Sequence, residues 1–511
     1  MSTPANRPGA GPVWAKRVGA AFDENVAFCA GRDVVARPPC DEALQPHDLA
    51  TNAAHVLMLA EAGVLPREDE GALLGALVAL RGRDLAGENL VRPQAEDVHM
   101  SVELAAGEIA GDAAGRMHSG RSRNDQVATD MALWLRERVA AQAADVVLLA
   151  RVVARRAREE SATPVPGLTH QQPAMVTTYG HWLASYLPRL ARVLSQWRAS
   201  LRELEECPLG AAAGFGTSWP IRRDRTAELL GFERASASTM DTVWRRGEAE
   251  ARHAFILSQL LSSLSGIGED LMLLSSPPRR WVALDDAHVT GSSIMPQKRN
   301  PDFAEVTRAK AAVVSGIAQS LLGITGRAVA GYNRQSQWTK YLVMDADGEA
   351  AGAASLFAGA LEGMRVDRAA MRAACEEGFL NAADCADHIA RTRGVPFRAT
   401  YRILGAAVRA SEALGTLDFD HLDAALAAEG LAPLSAEERA SLSSPEALLQ
   451  LRRQPGGPRP EDVLASIDAV MAAITEDAAA IEAAASAWRA RIEALWALAR
   501  GRASGSTASP L

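Results

Sequence analysis

Residues 291–301 combine side chains that could act together on a carboxylate substrate. The segment reads Gly-Ser-Ser-Ile-Met-Pro-Gln-Lys-Arg-Asn-Pro and contains Ser292, Ser293, Lys298 and Asn300. Its first three residues give backbone freedom and exposed amide groups, while the lysine and the asparagine can donate to a carboxylate. Most Gly/Ser/Pro segments are surface connections between helices. This mixture exceeds what a turn requires, so we expect a functional loop.

Two further polar segments lie at the ends of predicted helices. Residues 116–126 end with Ser-Gly-Arg-Ser-Arg-Asn-Asp-Gln, and residues 164–178 contain Thr169, His170 and Gln172. The unpaired amides and the dipole at a helix end favour an anionic ligand. A lone histidine beside a proline-rich loop is more often solvated or a cap than a site residue. These two segments are therefore candidates for binding an anionic ligand, and their interpretation depends on the other motifs in the chain.

Long helices must position these segments. Alanine and leucine dominate and aromatic residues make up only 5% of the chain. Apolar spacing predicts helices over residues 129–160, 177–206, 242–274 and 302–330. Helices of roughly 25 to 35 residues exceed the ordinary mean of about 11 to 12 and usually bury against each other or across a subunit interface. We predict an all-α fold and an oligomer, with shorter helices after residue 368 and a disordered tail over 501–511.

Composition restricts the class of partner. The net charge of −8 and the pI near 5.8 argue against nucleic acid or an anionic membrane. No apolar run reaches the roughly 18 to 20 residues that span a bilayer, and residues 1–12 are polar, without a signal segment after them. Five cysteines without CxxC pairing indicate neither a disulfide framework nor a zinc site. We expect a cytoplasmic protein that needs no metal and no cofactor.

Lysine is rare in this chain, and its placement is informative. Lysine and arginine number 54 together, but only four are lysine: Lys16, Lys298, Lys310 and Lys340. An ammonium group and a guanidinium fork are not interchangeable. Lys298 and Lys340, which lie within the motifs described here, are therefore candidates for a specific role.

The three segments, in this order and on long helices, resemble the argininosuccinate lyase family of the fumarase/aspartase superfamily. The resemblance extends over residues 22–414. It is carried by GSSIMPQKRNPD at 291–302, SGRSRNDQ at 119–126, Thr169-His170 with Gln172, Asp97-Val98-His99, Tyr332-Asn333-Arg334, Gln337, Lys340, and Gly394-Val395-Pro396-Phe397-Arg398.

The resemblance implies an all-α protein of three domains. Residues 1–122 would form an N-terminal helical domain, 123–370 a central bundle of long helices, and 371–511 a C-terminal helical domain with the disordered tail. The central bundles would pack together in a homotetramer, and each active site would collect its three segments from three subunits.

The resemblance also implies roles in a fumarate-releasing elimination, in which a weakly acidic carbon-bound proton must be removed by a strong base. Ser292 matches the base of the family, as an alkoxide stabilised by loop amides and Lys298. Lys298 and Asn300 would bind the carboxylate where charge develops. His170 is the candidate acid for the leaving nitrogen, with Glu305 orienting it. Both fumarate and the substrate are small carboxylates.

The remaining candidate residues would bind substrate. Arg123 suits bidentate carboxylate binding, and Asp97 and His99 are weaker candidates for a supporting role. The predicted substrate-binding set is Ser122, Arg123, Asn124, Thr169, Gln172, Ser293, Met295, Tyr332, Gln337 and Lys340.

Several positions depart from the family pattern, mostly through loss of acidic residues. The family's Asp-Glu-Asp is Ala95-Glu96-Asp97 here; other departures are Thr51-Asn52-Ala53, Ala174-Met175-Val176, Gln335 and Trp338-Thr339. Fewer carboxylates weaken the complementarity to a guanidinium group. We therefore expect a carbon–nitrogen lyase acting on an N-substituted aspartate, either an aminocarboxylate such as ethylenediamine-disuccinate or argininosuccinate.

Two alternatives are a protein of another class and a different enzyme. One is a non-catalytic structural protein on the same scaffold, which the intact Ser292, Lys298, Asn300, His170 and Glu305 disfavour. The other, adenylosuccinate lyase, would have a phosphate-binding set and a histidine in place of Gln297.

Overall fold

The computed structural model describes residues 38–326 and 329–505, together with Asn25, Phe28 and Cys29. The predicted polar start over residues 1–12 lies outside these residues. Within the described ranges the α-helices are α1 (Gln45–Glu61), α2 (Arg67–Leu85), α3 (Val98–Ala110), α4 (Arg123–Glu159), α5 (Tyr179–Ala184), α6 (Leu187–Leu201), α7 (Arg223–Leu229), α8 (Thr239–Trp244), α9 (Glu248–Ser275), α10 (Asp302–Thr325), α11 (Trp338–Ala350), α12 (Ala353–Gly363), α13 (Arg368–Ala374), α14 (Ala382–Arg393), α15 (Phe397–Ser411), α16 (Phe419–Ala428), α17 (Ala436–Ser443), α18 (Pro445–Leu451) and α19 (Pro460–Ala503).

The strands are short and form three separate two-stranded sheets. They are β1 (Pro164–Thr169) with β2 (Gln172–Thr178), β3 (Glu206–Cys207) with β4 (Arg234–Ala235), and β5 (Val282–Ala283) with β6 (Arg365–Val366). β1 and β2 are antiparallel and form a hairpin. The predicted all-α class is confirmed, because these strands are small additions to a helical framework.

The long helices α4, α6, α9, α10 and α19 pack into a bundle. α9 and α10 are antiparallel and in close contact: Gly268 faces Ala304, and the Oγ atoms of Ser258 and Ser315 lie 2.8 Å apart. A Cβ built on Gly268 would lie 3.0 Å from the Cβ of Ala304, so the missing side chain lets the helices approach closely.

Three of the four predicted long helices are present, with shifted ends. The helix predicted over 129–160 begins earlier, at Arg123, while those predicted over 242–274 and 302–330 are α9 and α10, the latter ending at Thr325. The continuous helix predicted over 177–206 is wrong. β2 extends to Thr178, and the chain is interrupted before α6, where Pro188 stands in the first turn because it has no backbone N–H to donate.

The expectation of shorter helices after residue 368 fails for α19, which has 44 residues. α19 packs against α2, α4 and α6 through side chains such as Ile474, Ile481 and Trp496, which belong to the main hydrophobic core. It continues to Ala503, so the predicted disordered tail is wrong for residues 501–503, while 506–511 lie outside the described residues.

The described residues have two hydrophobic cores. The larger one joins α1–α6, α9–α12 and α19, and the smaller one, centred on Cys385, Ile403 and Leu422, joins α14–α18. The predicted division at residues 122 and 370 stays a prediction. No helix of the described part of the chain is long and apolar enough to cross a membrane.

Candidate active site

A cavity of about 910 Å³ brings together one group of the predicted substrate-binding residues. We call it the Arg123 cavity. Among its lining residues are Arg123, Asn124, Tyr332, Gln337 and Lys340. These residues come from the start of α4, from the segment before α11 and, for Lys340, from the first turn of α11. The structure thus joins parts of the chain that lie about two hundred residues apart.

The start of α4 is held by two acceptor side chains. Ser122 accepts from the amide of Asn124 at 3.3 Å, and Asp125 Oδ1 accepts from the amide of Ser122 at 3.0 Å, which forms a capping box. The other oxygen of Asp125 accepts from the amides of Gly210 and Ala212 at 2.8 and 2.7 Å. Burial raises the pKa of Asp125 to about 6. This buried carboxyl therefore fixes the first turn of α4 that carries Arg123.

Most of the charged side chains around the cavity are paired. Arg123 Nη1 donates to Asp97 Oδ2 at 2.5 Å, Lys340 Nζ donates to Asp41, and Arg92 donates to Glu108 at 2.7 and 2.9 Å. Arg334 lies 3.9 Å from Glu96, and both side chains are largely exposed. The weaker candidate Asp97 thus contacts a predicted substrate-binding residue directly.

His170 lies at the tip of the β1–β2 hairpin. His170 and Gln171 have φ of 53° and 62°, and their neighbours Thr169 and Gln172 are paired across the hairpin. Positive φ at both central residues is the geometry of a tight hairpin turn that matches the twist of its strands, and it is strained for residues other than glycine. His170 is exposed, with no contact to Glu305 in this chain recorded among the described residues.

The signature loop, residues 291–301, is closed at its base by a two-way backbone pairing of Thr290 with Asn300, at 2.9 and 2.8 Å. Ser292 Oγ accepts from the amides of Ile294 and Met295 at 3.4 and 3.2 Å. The side chain of Asn300 donates to the carbonyl of Gly291 at 3.2 Å and so supports the loop from within. The exposed group of this segment contains Ser293, Lys298 and, in the first turn of α10, Glu305.

Within one chain the predicted residues fall into two distant groups. The signature loop precedes α10 and Tyr332 follows it, and the 24 residues of α10 span about 36 Å. The hairpin tip is at the loop's end of the bundle, since Arg279, just after α9, donates to the carbonyl of Gln171 at 3.2 Å. The Arg123 cavity is at the other end, near the start of α9.

Two of the cavity residues that are absent from the sequence-based set, His118 and Arg246, bear on its chemistry. His118 lines the cavity, and burial, followed by the charges of Arg121 and Arg123, lowers its pKa to about 4, so it is neutral near pH 7. Arg246 also lines the cavity, donating to Asn124 Oδ1 at 3.4 Å and lying 5.6 Å from the centre of the Tyr332 ring. The only local signal for Arg246 is its position before a glycine at a helix start.

The positions that depart from the family pattern are not equivalent. Ala95 lines the Arg123 cavity, so the loss of an acid there changes its charge. In contrast, Gln335 donates to the carbonyl of Ile324 at 2.8 Å, and Thr51 donates to buried Asp130 at 2.6 Å. In this chain, Ala95 is therefore the departure that bears directly on the cavity.

One group of described residues has the spacing of metal ligands: Asp48, His99 and Asp130, whose ligand atoms all lie within 4.8 Å of one another. All three are buried, and His99 Nδ1 is 2.7 Å from Asp48 Oδ1, which also accepts from Gln126 at 2.6 Å. Burial, reinforced by the nearby Asp48, raises the pKa of Asp130 well above its ordinary value. Because Asp48 contacts His99 and Gln126, and Asp130 accepts from Thr51 at 2.6 Å, we interpret this cluster as a hydrogen-bonded network that joins α1, α3 and α4.

Comparison with known proteins identifies the family and the fold. A family model described as lyase matches residues 36–316, and one described as argininosuccinate lyase C-terminal matches residues 379–448. A crystal structure of EDDS lyase in complex with formate is 26% identical, with a TM-score of 0.84, over 96% of this chain and 97% of that one. An EDDS lyase variant with bound fumarate has the same identity and TM-score over 97% and 99%.

A fumarate lyase from Mesorhizobium sp. BNC1 has the same fold, with a TM-score of 0.68 at 18% identity over 89% of this chain and 99% of that one. The fold and these matches define a fumarate-releasing lyase of the fumarase/aspartase superfamily. The chain belongs to the lyase family, and residues 379–448 match the argininosuccinate lyase C-terminal model.

Proposed function

We propose that this protein is a carbon–nitrogen lyase that reversibly eliminates fumarate from an N-substituted L-aspartate whose amine half carries a carboxylate, as in ethylenediamine-disuccinate (EDDS). The observation that carries the proposal is the similarity to EDDS lyase over nearly the whole of both chains. The lining of the Arg123 cavity supports it: five cationic side chains (Arg92, Arg123, Arg246, Arg334 and Lys340) stand against three carboxylates (Asp41, Glu96 and Asp97).

In the proposed mechanism the signature loop handles the aspartate half. Ser292 removes the proton next to the carboxylate, and the amides of Ile294 and Met295, which already point at its Oγ, stabilise the alkoxide together with Lys298. The negative charge that develops on the carboxylate is held by Lys298 and the loop. Because Asn300 is bonded to Gly291, its main contribution is to hold the loop in shape.

The second half of the reaction takes place at the nitrogen. His170 donates a proton to the leaving amine, and Glu305 orients the histidine once both come together. Thr169, Gln172, Ser293 and Met295 contact the aspartate half. Ser122 fixes the helix start from which Arg123 and Asn124 hold a carboxylate, and Tyr332, Gln337 and Lys340 contact the amine half.

Three subunits of a homotetramer would supply one site. The 36 Å length of α10 keeps the signature loop and the Arg123 cavity of one chain apart, at about 1.5 Å per residue over 24 residues. A small substrate cannot bridge that distance, so the loop and the cavity of one site would come from different subunits. The family resemblance adds the hairpin of a third subunit. Exposed apolar side chains along α9 and α10, such as Phe255, Val313 and Leu322, offer a surface on which the bundles can pack.

Argininosuccinate is the second candidate substrate, favoured by the match of residues 379–448 to the argininosuccinate lyase C-terminal model. Its guanidinium group would need a carboxylate in the cavity. Asp41 and Asp97 are already paired with Lys340 and Arg123, and Glu96 is exposed at the rim. The cavity therefore favours a carboxylate-bearing amine.

The test is the release of fumarate, followed by its ultraviolet absorbance, from EDDS, argininosuccinate and a simple N-alkyl aspartate. We expect turnover of EDDS above that of the other two. Fumarate from argininosuccinate alone would overturn the substrate class, and fumarate from none of them, with the protein folded, would overturn the lyase proposal.

A second experiment tests the shared site. His170→Asn and Ser292→Ala variants, each inactive alone, are unfolded together and allowed to reassemble. Random mixing would leave about a quarter of the sites with both groups intact, because each comes from a different subunit. Recovery near that level supports sharing; no recovery in mixed tetramers contradicts it.

A further inference from the structure

We infer that Arg246 is a specificity-determining residue that binds a carboxylate of the amine half of the substrate. This inference rests on the proposed function and extends it to a residue that the sequence did not single out. It follows from the charge balance of the Arg123 cavity, from the neighbours of the Arg246 guanidinium, and from the way in which its backbone is held.

Arg246 differs from the other cations that line the cavity in having no carboxylate partner. Arg92, Arg123, Arg334 and Lys340 each have a carboxylate within 4.0 Å, namely Glu108, Asp97, Glu96 and Asp41. Among the described residues, no carboxylate lies within that distance of the Arg246 guanidinium. Its recorded contacts are the neutral Oδ1 of Asn124 and the face of Tyr332.

A guanidinium in that position has unused donors and an incompletely balanced charge. Arginine has five N–H donors, and burial lowers the pKa of Arg246, with Glu250 as the largest opposing influence. The Glu250 side chain accepts from the amide of Gly247 at 3.0 Å and thus serves as a helix cap. An incoming carboxylate would supply the charge-assisted partner that the chain itself does not place there.

The backbone that carries Arg246 is fixed by close packing. Gly247 has φ of 102°, and a Cβ added there would lie 2.6 Å from Thr339 Cγ2 and 2.7 Å from Thr325 Cγ2. Only glycine fits this turn. Arg246 is therefore presented from a rigid point between α9, α10 and α11 rather than from a mobile loop, which suits a recognition role.

The position of Arg246 indicates the half of the substrate that it contacts. It lies over Tyr332, which is proposed to contact the amine half, while the aspartate half belongs to the signature loop. The ligand class is therefore an amine that carries its own carboxylate at a distance from the reacting nitrogen.

Two substrates that differ only in that carboxylate provide the test. EDDS and N-(2-aminoethyl)aspartate undergo cleavage of the same kind of bond, but only the former leaves a second succinyl group on the amine. For Arg246→Gln, kcat/KM for EDDS should fall by roughly 10- to 100-fold, the range of a hydrogen bond to a charged group, while kcat/KM for N-(2-aminoethyl)aspartate should change by less than about threefold.

The control is Arg245→Gln, one residue earlier, whose guanidinium is bound to Glu206 at 2.9 Å and does not line the cavity. It should leave both substrates unchanged. Arg246→Lys, which keeps the charge but not the fork, should retain part of the preference for EDDS. Circular dichroism and the thermal unfolding midpoint verify that each variant is folded.

An equal loss for both substrates would overturn the inference, as would an unchanged ratio of the two kcat/KM values. Should Arg246→Gln fail to fold, the inference can be tested with the unaltered protein by measuring the reverse reaction, the addition of an amine to fumarate. N-(2-aminoethyl)aspartate should be added with a kcat/KM at least about tenfold above that of ethylenediamine. Equal kcat/KM values for the two amines would overturn the inference. Failure of the proposed function would look different, because the unaltered protein would then release no fumarate from either substrate.

Discussion

Arg123 donates to Asp97 across 2.5 Å, and this contact joins the start of α4 to the first residue before α3. Asp97 accepts with Oδ2 and uses Oδ1 to cap α3 through the amide of Met100 at 2.9 Å. One carboxylate thereby orients the guanidinium and caps the start of α3. The arrangement leaves the second face of the Arg123 fork available to a substrate carboxylate.

We therefore predict that Arg123→Lys lowers kcat/KM for the substrate by about 10- to 100-fold, because a lysine cannot bind a carboxylate with two parallel hydrogen bonds. Steady-state kinetics of fumarate release measure it. Arg116→Lys is the matched control, since Arg116 lies in the same segment but is paired with Asp69 outside the cavity. Equal effects of the two substitutions would remove Arg123 from the site.

Ser292→Ala should lower kcat by about 10²- to 10⁴-fold, the usual contribution of a general base, without loss of structure. Its Oγ accepts from two loop amides, so the variant needs a check of loop integrity, for which protease sensitivity of residues 291–301 is suitable. Ser293→Ala, which removes a proposed binding hydroxyl, should act mainly on KM. Rates near those of the unaltered protein with Ser292→Ala would exclude it as the base.

Two substitutions at the hairpin tip distinguish an effect on stability from an effect on activity. Gln171→Gly removes a side chain from a φ of 62° and should stabilise the protein by up to about 1 kcal/mol, with activity retained. His170→Asn should keep the turn, since asparagine tolerates this conformation, but abolish most of the activity. Thermal unfolding and fumarate release are the two measurements. A His170→Asn variant that stays fully active would refute the role of His170.

His47 predicts how stability depends on pH. Burial lowers the pKa of His47 from 6.5 to about 4, and Glu137, at 3.6 Å, is too exposed to offset this. The unfolded chain therefore binds a proton between pH 6.5 and 4 that the folded chain does not. The stabilisation from a neutral His47 is complete above pH 6.5 and is lost as the pH falls through 4, to a total of about 3 kcal/mol.

Urea unfolding of the unaltered protein and of His47→Gln at pH 7, 5.5 and 4.5 measures this contribution. Other groups also titrate there, so the difference between the two proteins is the relevant quantity. Parallel pH curves for both would contradict the assignment to His47.

The sequence predicted the elements that are encoded locally. The signature loop lies between two helices as expected. The start of α4 was predicted at 129, because the capping box of Ser122 and Asp125, which begins the helix at Arg123, was not recognised. The β1–β2 hairpin was not predicted, because its tip is His170-Gln171 rather than a glycine-containing turn and its strands contain prolines. α19 was missed because its alanine-rich sequence has few large apolar residues at regular spacing.

The candidate site could be predicted only in part from the sequence, for a different reason. Arg246 and Tyr332 are separated by 86 positions and meet only because α9 and α10 are antiparallel and α10 returns the chain to the start of α9. Periodicity does not encode such a contact. Conversely, departures such as Thr51 and Gln335 appeared relevant to the substrate, but in this chain they form internal hydrogen bonds.

The antiparallel pair of α9 and α10 separates two regions of the chain in which substitutions can act independently. It is a rigid spacer whose close contact depends on Gly247 at one end and Gly268 at the other. Substitutions around Arg246 therefore need not disturb the loop beyond the far end of the same chain. If the proposed function holds, amine preference and fumarate chemistry can be altered separately, and new amine partners can be sought by varying the cavity while residues 291–301 are left untouched.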